Sequence, residues 1–171
     1  GLLVGEGGGA MTTATDVEVI DLATKPLREL NQRLHDGAAG GPLRWRIVNP
    51  NGAHAVAVGV DAPFEIEIEG HTGYYTAGMN KHAHVRVNGN VGVGCGENIM
   101  SGSIHITGNA SQACAATGRG GLVIVEGDAA ARCGISMKGV EIVVKGSIGH
   151  MSAFMAQSGA LVVCGDAGDS L

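Results

Sequence analysis

A glycine recurs every nineteen residues through most of the chain, at Gly70, Gly89, Gly108, Gly127, Gly146 and Gly165. Four and two places before each stands an aliphatic pair: Ile66/Ile68, Val85/Val87, Ile104/Ile106, Val123/Val125, Ile142/Val144 and Leu161/Val163. A fixed period of this length marks a solenoid, in which each repeat buries its apolar face against the next. The apolar residues alternate with polar ones, so the repeat is built on strands. The expected fold is all-β: a right-handed, single-stranded β-helix of nineteen-residue coils, preceded by a short N-terminal strand and helix.

Composition fits a stacked core of small aliphatic ladders. Only 3% of residues are aromatic, and the 30 glycines are placed periodically, which argues against collagen and against disorder. The net charge of −5 comes with no basic run, so nucleic acid is not an expected partner. Apolar stretches are strand-length, so no membrane span is expected. Gly1 to Ala10 lacks the basic flank and long apolar core of a signal peptide, and the four cysteines are few for a disulfide scaffold, so a cytoplasmic location is expected.

Three regions are expected. Residues 1–16 form a disordered leader, in which Met11 is a candidate start. Residues 17–43 hold a strand at Val17–Ile20, a helix from Pro26 to His35 with Leu27, Leu30 and Leu34 on one face, and a Gly37–Pro42 loop. Residues 44–171 form the β-helix, opening with Trp45–Val48 and a turn at Asn49–Gly52, its last coil stopping part-way at Leu171. The regular strands are read at Glu65–Glu69, His84–Asn88, Ser103–Thr107, Leu122–Glu126, Glu141–Lys145 and Ala160–Cys164. After each periodic glycine comes a polar residue suited to a corner: His71, Asn90, Asn109, Asp128, Ser147 or Asp166. Two places further on, Gly73, Gly92, Ser111, Ala130, Gly149 and Gly168 form a crowded column of small residues.

Several columns invite a functional reading. Cys95, Cys114 and Cys133 stack in consecutive coils. An iron–sulfur site would want four converging thiolates, and Cys164 lies in another column, so a buried apolar ladder is the simpler account. Gly92, Gly94 and Gly96 lack the third spacing and the helix of a dinucleotide loop, and read as coil corners. His82 and His84, with His105 beside Arg86 and Glu67, offer at most two converging ligands, too few for zinc. Lys81, Met100, Arg119, Lys138 and Gln157 read as a solvated edge. Glu65, Glu67 and Glu69 resemble an acidic groove, yet face His84, Arg86 and Asn88 in the next coil, which favours charge pairing. The outward row runs Glu67, Arg86, His105, Ile124, Val143, Val162, from charged to apolar. Ile124, Val143 and Val162 therefore need a cover, either an intramolecular segment such as the N-terminal helix or another subunit, and an oligomer is expected. No catalytic, cofactor-binding or metal-binding residue is expected on this chain.

The stretches EGHTGYYTAGMNKHAHVRVNGNVGVGCGENIMSG, ATGRGGLVIVEGDAAARCGISMKG and GSIGHMSAFMAQSGALVVCGDAGDSL resemble the GXGXG β-helix domain that closes the large subunit of glutamate synthase. The similarity spans roughly residues 17–171. As a short chain with the segment DLATKPLRELNQRLHDG in front, it is most similar to the stand-alone form, the separate GXGXG subunit of N-methylglutamate synthase. A more distant likeness is to the scaffold subunit of formylmethanofuran dehydrogenase. The resemblance implies a scaffold between a glutamine amidotransferase-like subunit and an FMN-binding synthase subunit. FMN and an iron–sulfur cluster are implied on the partner. A self-sufficient carbohydrate-active β-helix enzyme is the alternative from a different class. The sequence ends earlier than the family's pattern, which continues through further coils.

Overall fold

The computed structural model describes residues 16–167. The expected disordered leader lies, up to position 15, outside the described residues, as do Gly168 and Leu171. Among the described residues, eight strands form one parallel sheet in chain order: β1 (Val17–Asp21), β2 (Arg44–Val48), β3 (Glu65–Glu69), β4 (His84–Asn88), β5 (Ser103–Ile106), β6 (Leu122–Val125), β7 (Lys138–Val144) and β8 (Ser158–Val163). Between β1 and β2 stands the helix α1 (Leu27–Gly37). From Glu65 onward, strand residues pair with those nineteen places later, with a register irregularity between Lys138 and Glu141. The first two steps are longer, pairing Val17 with Arg44 and Arg44 with Glu65. The N-terminal strand is thus the edge strand of the same sheet, and α1 lies within the first coil.

The sheet forms one wall of the solenoid. Ile66, Ile68, Val85, Val87, Ile104, Ile106, Val123, Val125, Ile142 and Val144 all point inward and are buried. Each stacks on its equivalent one coil away, so β-branched side chains meet like with like. Full burial of each contributes about 1.5–3 kcal/mol before conformational entropy is counted.

A second wall is built on different principles. In each regular coil three alternate residues adopt positive φ: Tyr75, Ala77 and Met79; Gly94, Gly96 and Asn98; Ala113, Ala115 and Thr117; Arg132, Gly134 and Ser136; Met151, Ala153 and Met155. Positive φ costs an L-residue about 1–2 kcal/mol. An inter-coil ladder offsets that cost. Gly94 N–H donates forward to Gln112 O, Gly96 N–H donates back to Thr76 O, and Asn98 N–H donates forward to Ala116 O, each at 2.9 Å. The side chains lying between the first two positive-φ columns are Thr76, Cys95, Cys114, Cys133 and Ser152, all fully buried.

Helix α1 closes the first coil. Leu30 and Leu34 are buried in the common core with Ile20, Trp45 and Phe64. Asn31 Nδ2 donates to Ala55 O at 2.9 Å, and its Oδ1 accepts from Ala57 N–H at 3.0 Å. Ala55 and Ala57 are themselves positive-φ residues. The carboxamide therefore supplies a donor and an acceptor where a preceding coil would have placed a peptide group. Pro26 stands at the N-cap, and a Cβ on Gly37 would lie 3.1 Å from the Trp45 ring, so the helix ends where it meets the core.

Candidate partner-facing surface and outer groove

The periodic glycines and the polar residues after them form one device. Asn90 N–H donates to His71 Nδ1, Asn109 N–H to Asn90 Oδ1, Asp128 N–H to Asn109 Oδ1 and Ser147 N–H to Asp128 Oδ1, each at 2.8 Å. Asp166 N–H continues the series to Ser147 Oγ at 3.0 Å. Each side chain thus takes the amide of the next coil, as the polar character of the column indicates. The glycine leaves room for it. A Cβ on Gly108, Gly127 or Gly146 would lie 2.1–2.2 Å from the accepting oxygen of the coil before. A Cβ on Gly89 would meet Gly70 backbone at 2.7 Å, and one on Gly165 would meet Gly146 O at 2.5 Å. Gly70 combines φ +133° with the Pro50 ring at 3.1 Å from its virtual Cβ. Close approach, rather than unusual φ, requires glycine at most of these positions.

The same reasoning accounts for Gly92, Gly94 and Gly96. A Cβ on Gly92 would lie 2.6 Å from Gly73 backbone, while Gly94 and Gly96 have φ +76° and +70°. They sit at the start of the positive-φ wall, and among the described residues no helix follows them.

The three stacked thiols are free and buried. Burial pushes Cys95 up to about 12. A hydrogen bond with Cys133 and then burial hold Cys114 well above the ordinary thiol range. A thiol kept protonated is neither a good nucleophile nor a good metal ligand. Cys164 is exposed and lies on the sheet side, apart from them. Among the described residues, no group of three or more His, Cys, Asp or Glu side chains is arranged to hold a metal ion. The histidines disperse: His82 meets Asp61 at 3.1 Å, His84 Nδ1 meets Ser103 Oγ at 2.7 Å, and His105 Nε2 meets Glu126 Oε2 at 2.5 Å. Met100, Arg119, Lys138 and Gln157 form an exposed column, with Lys81 partly covered beside Asp61 at 3.8 Å.

The outward row stands in the expected order. Glu67, Arg86, His105, Ile124, Val143 and Val162 are cross-strand partners from β3 to β8. Its first half is a polar network. Arg44 lies 3.6 Å from Glu65, and Arg46 lies 3.5 Å from Glu69. Asn88 Nδ2 donates to both Glu67 and Glu69. The three glutamates are therefore tied to neighbours, but not by the expected pairing with the next coil: Glu65 and Glu69 pair with arginines of β2, and Glu67 is held by the neutral Asn88. At the boundary His105 bonds Glu126, and that hydrogen bond, with Lys145 at 3.3 Å, holds the Glu126 carboxyl below its usual value.

The second half is apolar. Ile124 and Val143 are half-buried and Val162 is 52% exposed. Helix α1 packs on the first coil through Leu30, Asn31 and Leu34, several coils away, so it is not their cover. Over β2 to β5 the polar half shapes a groove of about 300 Å³, lined among others by Glu65, Glu67, His84, Arg86 and Ser103. Sequence spacing predicts the columns and the likeness of the glutamate strand to an acidic groove, but not that Arg44, Arg86 and Ser103 line the same groove.

With this geometry in view, similarity to known proteins adds one relation. The chain is 59% identical over 85 residues to Protein GlxC of Rhizobium meliloti (strain 1021). The matched stretch takes in 49% of this chain and 37% of that protein. No protein-family model matches the chain, and no solved structure matches it significantly. Among the described residues, no helix is long and apolar enough to cross a membrane.

Proposed function

We propose that this chain is a non-catalytic scaffold subunit of a glutamate synthase-like complex. The observation that carries the reading is the outer row that turns apolar at Ile124, on a solenoid whose coils resemble the GXGXG domain. A strip of aliphatic side chains on an otherwise polar sheet face is the kind of surface that buried subunit contacts use. The match to GlxC supports the glutamate synthase-like assignment at the coarse level. The finer assignment is to N-methylglutamate synthase, which makes N-methylglutamate from glutamate and methylamine. In it the chain holds an amidotransferase-like subunit and an FMN-binding synthase subunit in register, in the cytoplasm. FMN and the iron–sulfur cluster belong to the partner, and the buried thiols here serve as core packing.

Co-purification from the native source tests the assignment, with mass spectrometry of partners and a flavin spectrum of the complex. Recovery with an amidotransferase-like and a flavin-bearing synthase subunit is expected. Recovery without either, or with a flavin bound stoichiometrically to this chain alone, overturns it. Val143→Lys tests the surface: the side chain faces outward, so the coil stays folded by circular dichroism, while association measured by light scattering weakens. Unchanged association of the variant would remove the strip from the interface.

A further inference from the structure

The groove over β2 to β5 contains one ion pair, Arg44 with Glu65 at 3.6 Å, and one pair of opposite charges, Glu67 and Arg86, that do not neutralise each other. Glu67 and Arg86 are direct cross-strand partners. Yet among the described residues no carboxylate lies within ion-pair distance of Arg86. Asn88 explains the separation. Its Oδ1 accepts from Arg86 Nε at 2.8 Å, while its Nδ2 donates to Glu67 Oε2 at 3.2 Å and to Glu69 at 3.1 Å. A neutral carboxamide is thus wedged between guanidinium and carboxylate.

Both charged groups keep unused capacity. Arg86 spends one N–H on Asn88 and one on His105 Nδ1 at 3.2 Å, from a guanidinium that carries five. His105 is fixed by that bond: its Nδ1 accepts from Arg86, so its proton is on Nε2, which is donated to Glu126. Arg86 therefore gains no negative partner from this side. Glu65 meets Arg44 only at 3.6 Å, long for a hydrogen bond. Ser103 Oγ lies 2.7 Å from His84 Nδ1; with His84 as the Nδ1–H donor, the hydroxyl keeps its own proton for an acceptor in the same groove.

We propose that this groove binds a small zwitterion, its carboxylate on Arg86 and Ser103 and its ammonium against Glu67 and Glu65. An anion alone would face two glutamates, and a cation alone would face Arg86 and Arg44. A molecule carrying both charges a few bonds apart meets complementary groups at each end. The volume of about 300 Å³ lies at the small end for ligand sites and fits a compound of that size. Arg86 offers the planar fork that matches a carboxylate in two bonds. Asn88 is a positioning residue, which keeps the two charges open to the ligand. Ligand binding in the groove does not depend on the scaffold role.

The test is a ¹H–¹⁵N NMR titration of the full chain with β-alanine, and with propanoate and propylammonium as single-charge probes. The expected result is a saturable shift of the Arg86 side-chain Nε–H and of β4 and β5 amides with β-alanine. The single-charge probes bind about tenfold more weakly, as loss of one charge-assisted contact implies. Arg86→Gln abolishes the shift and Glu67→Gln weakens it, while amides of β7 and β8 keep their parent positions and so report an intact fold. Absence of a saturable β-alanine shift overturns the proposal. So do equal affinities for all three probes, or β-alanine binding that survives Arg86→Gln.

Discussion

The two walls of the solenoid reach the same coil-to-coil spacing by different means. On the strand wall, extended backbone needs no special residue, and bulky aliphatic side chains such as Ile104, Val123 and Ile142 fill the core. On the positive-φ wall the backbone itself is unusual, and the interior column shrinks to Thr76, Cys95, Cys114, Cys133 and Ser152. One wall is specified by side-chain volume, the other by backbone conformation and inter-coil hydrogen bonds. Equal burial therefore does not imply equal sensitivity to substitution.

The largest effect is expected on the strand wall. Val125→Asp places a carboxylate in the core with no partner, at a cost of several kcal/mol. The neighbouring Glu126→Ala should cost far less, because Glu126 is partly exposed and only its contacts with His105 and Lys145 are lost. Since the Glu126 carboxyl is held below its usual value, its contribution is present at neutral pH and is lost as pH falls through that lowered value. Thermal melts at neutral and acid pH check both statements. Similar midpoints for Val125→Asp and Glu126→Ala would show the wrong side chains facing inward.

At the corner between the walls, Gly127→Ala should destabilise by about 2 kcal/mol through overpacking. Its Cβ would lie 2.1 Å from Asn109 Oδ1 and 2.8 Å from Gly108 O. Adding Asn109→Gly should return part of the loss, because the first of those clashes disappears. Denaturant unfolding of the two single variants and the double variant measures that coupling. Purely additive losses would show that glycine is needed there for some reason other than the accepting side chain.

Asn109→Ala alone removes the acceptor for Asp128 N–H. The corner is exposed, so water replaces it, and the loss should be about 1 kcal/mol. Hydrogen exchange at the Asp128 amide should quicken while the strand amides of β5 and β6 keep their protection. Quickening spread equally through the coil would mean that the corner is not a local element.

Much of the fold is legible in the sequence, for a physical reason. The strand wall repeats in residue type, so Ile and Val at fixed places announce both the strands and their inward faces. The corner is legible too, since glycine followed by a polar residue has few other uses at such regularity. The positive-φ wall is not. Its columns contain Tyr75, Arg132, Met151 and Thr117, residue types that carry no signal for that conformation. Nor does the sequence period reveal that β1 pairs with β2, because the insertion of α1 breaks the nineteen-residue spacing. The capping role of Asn31 depends on where α1 docks, and the separation of Arg86 from Glu67 depends on the hydrogen bonds of Asn88. Both are tertiary outcomes that a linear pattern does not encode. Alternation along the strands places the apolar strip on the outer face, but only the position of α1 shows that this helix does not cover it.

The smallest effect is expected where the comparison is sharpest. Cys114 is as buried as Val125, so burial alone predicts that any polar replacement is harmful. The column around it argues otherwise. Ser152, further along the same ladder, donates its hydroxyl to Gly149 O at 3.0 Å. Thr76, at the equivalent place, donates to Thr72 Oγ1 at 2.8 Å and lies 3.4 Å from Gly73 O. The carbonyl three residues back is thus within reach of a hydroxyl at this place in the coil. Cys114→Ser should find Ser111 O in the same way and cost about 1 kcal/mol or less. Val125→Ser, equally buried but on the strand wall, has no such acceptor, because extended backbone points its neighbouring carbonyls along the sheet, away from the inward side chain. It should cost more, through both the lost volume and the unpaired hydroxyl. Parallel denaturant melts of the two serine variants decide the matter. If Cys114→Ser proves as damaging as Val125→Ser, the positive-φ wall is no more tolerant of a polar interior than the strands, and the distinction between the walls fails.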